Sequence, residues 1–366
     1  MKPMITDRGE ELTVGILAGD EESQRVLALE PVGLDDLALA REQALLDGLR
    51  AGVLPSDFTA VSTQLLAGDT GGKDRLKNFR LELSHGSAVY RRQFPIAALA
   101  RVARRAEANL RAQQILTDGM EASYFVTTRP AQSMDACNDV PCAKVRSEPL
   151  VLEEAPLDDF LGHSEVLRGP ALRSKDPDPS APTEGDLHVF IPEDVWDTGH
   201  ELARRGDEKE SAGVWTGRLM RDTRSPEVFL HIDECLIADH AAEEKYSVEF
   251  SGDTWGDLRT RLEQRRRRLN RPHERIVGSV HGHNFSPEPD ANGRMTCESC
   301  HLLPICSRTT AAASQDDFRW HQMVFAGQPW AILVVYGWNA RDEEEVRCYG
   351  LRDAQMMQRT VRILQT

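Results

Sequence analysis

The sequence predicts a mixed α/β protein of the α+β kind, organised as two domains. Three observations carry this expectation. At 366 residues the chain is longer than one hydrophobic core usually serves. Residues 172–186, LRSKDPDPSAPTEGD, place three prolines among Ser, Thr, Gly and charges, with almost nothing to bury, and read as a flexible linker. Beyond them, apolar strand-like runs alternate with segments of helical spacing. The expected layout is an N-terminal α+β domain over residues 1–171, the linker over 172–186, and a C-terminal mixed sheet flanked by helices over 187–366.

In the first domain, helices are expected at Asp35 to Ala51 and at Ile96 to Leu116, where Ile96, Leu99, Val102, Ala103 and Ala106 recur at helical spacing. No phosphate loop, dinucleotide fingerprint or serine-nucleophile motif precedes residue 170. Cys137 and Cys142, in DACNDVPC, read as incidental thiols in a turn. The sequence does not reveal this domain's role; recognition of a substrate or partner is one reading.

In the second domain, His188 to Ile191 reads as a strand, and Pro192 suits the first turn of a helix that turns Val195, Trp196, Gly199, Leu202 and Ala203 inward and stops at Gly206. Strands are expected at Ser211 to Leu219 and Val228 to Ile232. A charged helix follows from Trp255 to Leu269, with Leu258, Leu262 and Leu269 on one side. It closes on Arg265-Arg266-Arg267-Arg268, read as a solvated end complementing the helix dipole, with Glu263 pairing to Arg267. A strand from Arg275 runs into His281, another spans Trp330 to Tyr336, and Glu345 to Leu351 reads as an edge strand.

Composition narrows the function. Fifty-nine acidic against 44 basic residues give a net charge of −15, which disfavours nucleic acid and anionic membranes as partners and points to protein. The first residues lack the apolar run of a signal peptide, and no later run reaches membrane-spanning length, so a cytoplasmic location is expected. Seven cysteines then read as thiols or metal ligands rather than as a disulfide framework.

Three short motifs carry chemistry. In His281-Gly282-His283, at the end of an apolar strand, residues two apart project to the same side, so both imidazoles can face one ion. Ser314 and Asp317 stand one turn apart at a helix start, where a cap is the ordinary role of such a pair. Glu210 opens the small-residue strand Ser211-Ala212-Gly213.

Glu, then HxH, then SxxD in this order resembles the JAMM or MPN+ metalloprotease family, also called JAB domains, over about Leu187 to the C-terminus. The resemblance implies a JAB/MPN-like sheet and zinc held by His281, His283 and Asp317. It further implies Glu210 as general base and Ser314 as donor to the developing oxyanion. It implies a peptidase or isopeptidase acting at the C-terminus of a ubiquitin-like protein, in deconjugation or precursor processing, with the activating and conjugating enzymes of that pathway as further partners. A non-catalytic MPN-type scaffold and a JAB relative in DNA metabolism are the alternatives.

The sequence departs from the family at Asn284, where proline usually stands, and in the long insertion 284–313. The insertion carries Cys297, Cys300, His301 and Cys306, which could hold a second, structural zinc. A reduced or redox-active CxxC pair and a surface loop with idle thiols are the other readings.

Overall fold

The computed structural model describes residues 4–18, 25–71, 75–117, 120–130, 150–167, 186–204, 210–239, 241–244, 247–283, 309–339 and 343–365. Cys137, Cys142, Gly206, Cys297, Cys300, His301, Cys306 and all of the expected linker but Asp186 lie outside them. The fold is mixed α/β. It divides into one unit of Met1–Leu150 with Arg352–Gln355, and a second of Val151–Leu351 with Met356–Thr366. Among the described residues no helix is long and apolar enough to cross a membrane.

The first unit comprises β1 (Glu10–Ala18), β2 (Arg25–Pro31), α1 (Ala38–Arg50), β3 (Ser62–Leu66), β4 (Arg75–Leu76), β5 (Asn78–His85), β6 (Ala88–Pro95), α2 (Ala100–Ala112) and β7 (Ala122–Pro130). One antiparallel sheet has the order β2-β1-β7-β4 and the other is the meander β3-β5-β6. Both expected helices form, each opening with a 3-10 turn, at Leu34–Leu37 and Ile96–Leu99. The second stops at Ala112 rather than reaching Leu116, because Gln114 takes the left-handed φ of 58°. Phe79 and Phe94, stacked 5.5 Å apart, centre a core that includes Leu37, Leu45, Val102 and Leu110.

The second unit begins earlier than the sequence suggests. The first unit ends at Leu150, not at residue 171, and β8 (Glu153–Ala155), α3 (Leu157–Gly162) and β9 (Ser164–Val166) belong to the second. Aromatic packing holds them there. Phe160 lies 5.3 Å from Phe190 and 4.9 Å from Phe229, centroid to centroid. Elements of three and six residues are too short to show a periodicity, which is why the pattern along the chain missed them.

There follow β10 (Val189–Pro192), α4 (Glu193–Arg204), β11 (Ser211–Asp222), β12 (Val228–Ile237), β13 (Ala242–Glu244), β14 (Ser247–Glu249), α5 (Gly252–Leu269), β15 (Arg275–Gly282), α6 (Gln315–Val324), β16 (Ile332–Trp338), β17 (Glu344–Arg352), β18 (Gln355–Gln358) and β19 (Arg362–Leu364). The large sheet runs β18-β17-β16-β15-β11-β12-β10-β19-β9, with β8 beside the far end of β11. At its centre β15 is antiparallel to β11 and parallel to β16. Strand β17 is therefore interior rather than an edge, because β18 pairs along it.

Alternation along β11 sends neighbouring side chains to opposite layers. Trp215 and Gly213 meet Gly199 and Leu202 of α4, whereas Val214 packs on Leu258 and Leu262 of α5. Helix α4 buries the expected stripe of Val195, Trp196, Gly199, Leu202 and Ala203. Helix α5 is capped by Ser251, whose hydroxyl accepts from Thr254 N–H. Leu269, at its end, lies beyond the apolar cluster and is 40% exposed.

The arginine run is solvated only in its second half: Arg267 and Arg268 are exposed, whereas Arg265 and Arg266 turn inward. Arg265 reaches Glu274 and Glu234 and the Asp233 carbonyl, while Arg266 binds the Glu274 carbonyl and pairs with Glu263, the partner expected for Arg267. Glu274 is fully buried and Asp233 nearly so. A carboxylate that stays ionised when buried needs a charged or hydrogen-bonding partner, and only the packing of α5 against β12 and β15 makes these arginines the ones in reach.

Candidate metal centre

Strand β15 ends at Gly282, and the ladder carries one residue further through the bond from His283 N–H to the Tyr336 carbonyl, 2.9 Å. Gly282 turns toward α4. A Cβ there would stand 2.6 Å from Ala203 Cα, so the helix lies directly against this backbone and only glycine fits. His281 and His283 consequently project to the other layer, that of α5 and α6, with ring centroids 4.9 Å apart.

Helix α6 supplies the carboxylate. Ser314 is its cap: the hydroxyl accepts from Asp317 N–H at 3.1 Å, and Ser314 N–H donates to Asp317 Oδ2 at 2.6 Å. The expected cap and the expected ligand are thus the same pair. Oδ2 is taken by the cap, which aims Oδ1 at His281 Nε2, 3.7 Å away. The Ser314 hydroxyl accepts in the cap, so its own hydrogen remains free to be donated.

The segment that returns the chain to α6 is fastened to β16. Thr310 N–H donates to the Trp338 carbonyl at 2.9 Å, and its hydroxyl accepts from Trp338 N–H at 2.8 Å. The Thr310 carbonyl in turn accepts from Nδ1 of His283. That bond fixes the tautomer and leaves Nε2 of His283 as the available ligand atom. Nothing in the sequence marked Thr310, since it acts through its backbone.

Glu210 closes the arrangement. It sits directly before β11, whose Ser211 pairs with Gly282 and Ala212 with His281, and its Oε1 lies 3.6 Å from His283 Nε2. All four groups are sheltered, with Glu210 7%, His281 6% and His283 8% exposed and the Asp317 side chain 23% exposed.

Their environment tunes them. Burial, with the Asp317 charge adding to it, pushes the Glu210 carboxyl up to about 7. Burial holds both imidazoles below their ordinary value. For His281 the neighbouring His283 adds to this and Asp317 opposes it; for His283 the bond to Thr310 and the Asp317 charge oppose it. Burial alone would raise the Asp317 carboxyl, but His281 and the two Ser314 bonds outweigh it and hold it below the usual carboxylate range. Neutral imidazoles and an ionised carboxylate are the forms in which these residues ligate a metal.

The donor set fits a small divalent ion. One ligand atom each from His281, His283 and Asp317 all lie within 4.8 Å of one another. Tetrahedral zinc, with bonds of about 2.0–2.2 Å, requires separations of about 3.3–3.6 Å, which small side-chain rotations reach. His281 Nε2 is buried and has no hydrogen-bond partner, as expected of an atom whose partner is not a protein group.

No protein-family model matches the sequence, and no curated protein matches it significantly. Among solved structures, the solution structure of protein DSY2949 from Desulfitobacterium hafniense is 12% identical, covering 49% of this chain and 94% of that one, with a TM-score of 0.31. A superposition that loose bears on neither the fold nor the site.

Proposed function

We propose that the second unit is a JAMM-type zinc hydrolase that cleaves the peptide or isopeptide bond following the C-terminus of a ubiquitin-like protein. The observation that carries the reading is convergence: Glu210, His281, His283 and Asp317, from three separate stretches of chain, come together, Glu210 and the two histidines buried and Asp317 partly so. His281, His283 and Asp317 would hold the ion. Bound there, zinc supplies a Lewis acid that polarises the scissile carbonyl and acidifies water.

The chain's own groups do the rest. Glu210, beside His283 and bound to no metal, accepts the proton of the attacking water and returns it to the leaving amine. Ser314 donates its free hydroxyl hydrogen to the oxygen that gains charge. The β13–β14 hairpin, which follows the end of β12 lying beside Ala212, offers strand edges along which an extended C-terminal tail can pair. The acidic whole agrees with a protein substrate rather than nucleic acid.

The test is metal analysis together with cleavage of a linear fusion of a ubiquitin-like protein to a reporter. One zinc in this site and chelator-sensitive cleavage are expected. A metal-free, inert chain that still captures such a protein would replace the enzyme by a scaffold, and salt-dependent DNA binding without cleavage would move the function to nucleic acid.

A further inference from the structure

His321 stands four residues beyond Asp317 on α6 and has no part in the chemistry above. It is 3% exposed, packs on Phe325 at 4.7 Å between centroids, and bonds to the backbone of Ala331. The Ala331 N–H is already given to the Gln328 carbonyl, so the bond runs from His321 to the Ala331 carbonyl. Nδ1 of His321 has no partner; the donor is therefore Nε2–H, and Nδ1 carries a buried, unused lone pair.

A second orphan lies in the same layer. Ser279 is 2% exposed, its hydroxyl has no partner, and it is two residues before His281 on β15, hence on the same face. The register sets the two orphans at one level of the sheet. Asp317 is over His281, 3.7 Å away. From there the helix advances about 6 Å in four residues, and the strand about 6.6 Å in two. The bond to Ala331 gives the direction: Ala331 immediately precedes Ile332, which pairs with Gly278, so α6 runs back along the sheet from His281 and carries His321 to the level of Ser279.

We infer that His321 is a positioning residue for the metal centre, linked to the Ser279 hydroxyl across one water, and that this pair sets the approach of Asp317 to His281. Buried polar groups of opposite kind in one layer are ordinarily satisfied this way. Tethering α6 at both Ala331 and Ser279 fixes the height of its first turn above β15, which is where Asp317 is carried. The inference rests on the zinc reading.

Cobalt(II) titration of the full chain tests it, with His321→Leu, His321→Gln, Ser279→Ala and the double variant His321→Leu/Ser279→Ala. His321→Leu is expected to weaken Co²⁺ binding by about 10–100-fold, the usual effect of losing a group that supports a ligand, and to alter the d–d spectrum of the ion that is bound. His321→Gln, whose amide reaches the Ala331 carbonyl, restores affinity to within a few-fold. Ser279→Ala weakens binding, and the double variant is no weaker than His321→Leu. Wild-type affinity and spectrum in His321→Leu, no rescue by glutamine, or losses that multiply in the double variant each overturn the role. A wild-type chain that binds no Co²⁺ overturns the zinc reading itself, whereas a binding wild type with unaffected variants overturns only the part given to His321 and Ser279. Should His321→Leu fail to fold, the glutamine and alanine variants decide by the same measures.

Discussion

Oε1 of Glu210 lies 3.6 Å from Nε2 of His283, while Asp317 makes the matching 3.7 Å approach to His281. Each imidazole thus has its own carboxylate, and only that of Asp317 is braced by a helix cap. Glu210→Gln keeps the shape and removes the proton acceptor. Turnover of a ubiquitin-like fusion is expected to fall by about 10²–10⁴-fold, with zinc content unchanged. A variant that keeps most of the wild-type rate would take Glu210 out of the base role.

Gly282→Ala acts from the opposite layer. The added Cβ would meet Ala203 Cα at 2.6 Å and its carbonyl oxygen at 2.7 Å, and neither backbone atom can yield as a flexible side chain does. The expected cost is about 1–3 kcal/mol of stability, together with weaker metal binding as the residues flanking position 282 shift. Chemical denaturation and a zinc competition titration measure the two effects. Unchanged stability would mean that α4 gives way freely here.

The proposed function adds a second, separable duty to the cap that Ser314 forms. Its hydroxyl accepts from Asp317 N–H, so Ser314→Ala is expected to cost about 1 kcal/mol as a lost cap. Loss of the hydroxyl donor is expected to lower kcat by about 10²–10³-fold as well. Ser314→Thr keeps both functions. If the alanine variant turns over substrate like wild type after correction for its folded fraction, Ser314 is a cap and nothing more.

Asp233 is expected to contribute to acid sensitivity. Its carboxylate meets Arg218, Arg271 and His231 at 2.7, 2.9 and 3.2 Å. Burial alone would raise its pKa, but hydrogen bonds from His231 and Arg218, with their charges, overcome this and hold it far below the usual carboxylate range. A carboxylate depressed in the folded state stabilises above the unfolded value, near 3.9, and that contribution declines as pH falls below it toward the folded value. Asp233→Asn is expected to cost about 3–5 kcal/mol at neutral pH. The gap between the variant's unfolding midpoint and the wild type's should narrow below about pH 4. A gap constant from pH 7 to pH 3 would exclude Asp233 as the acid-sensitive group.

The site was legible in pieces. Strand alternation predicts that His281 and His283 share a side, and the cap spacing predicts that Ser314 and Asp317 share a turn; both hold. Glu210 was found through family resemblance, since a carboxylate before a strand has no local signature of its own. His321 does have one, its i+4 spacing from Asp317, but a histidine on a helix face is usually a core residue. Thr310 had none.

What the sequence determined is local, because caps, alternation and helical stripes depend on residues within one or two turns of one another: the cap of α6, the inward stripe of α4, and the strand that delivers the paired histidines. What the tertiary structure decided is non-local. Residues 153–166 complete the C-terminal sheet, Arg265 and Arg266 are drawn onto acids of other elements, and β11 registers with β15 so that Glu210 stands beside His283. These depend on which surfaces meet, and packing between elements distant in the chain leaves no period in the sequence by which to read it.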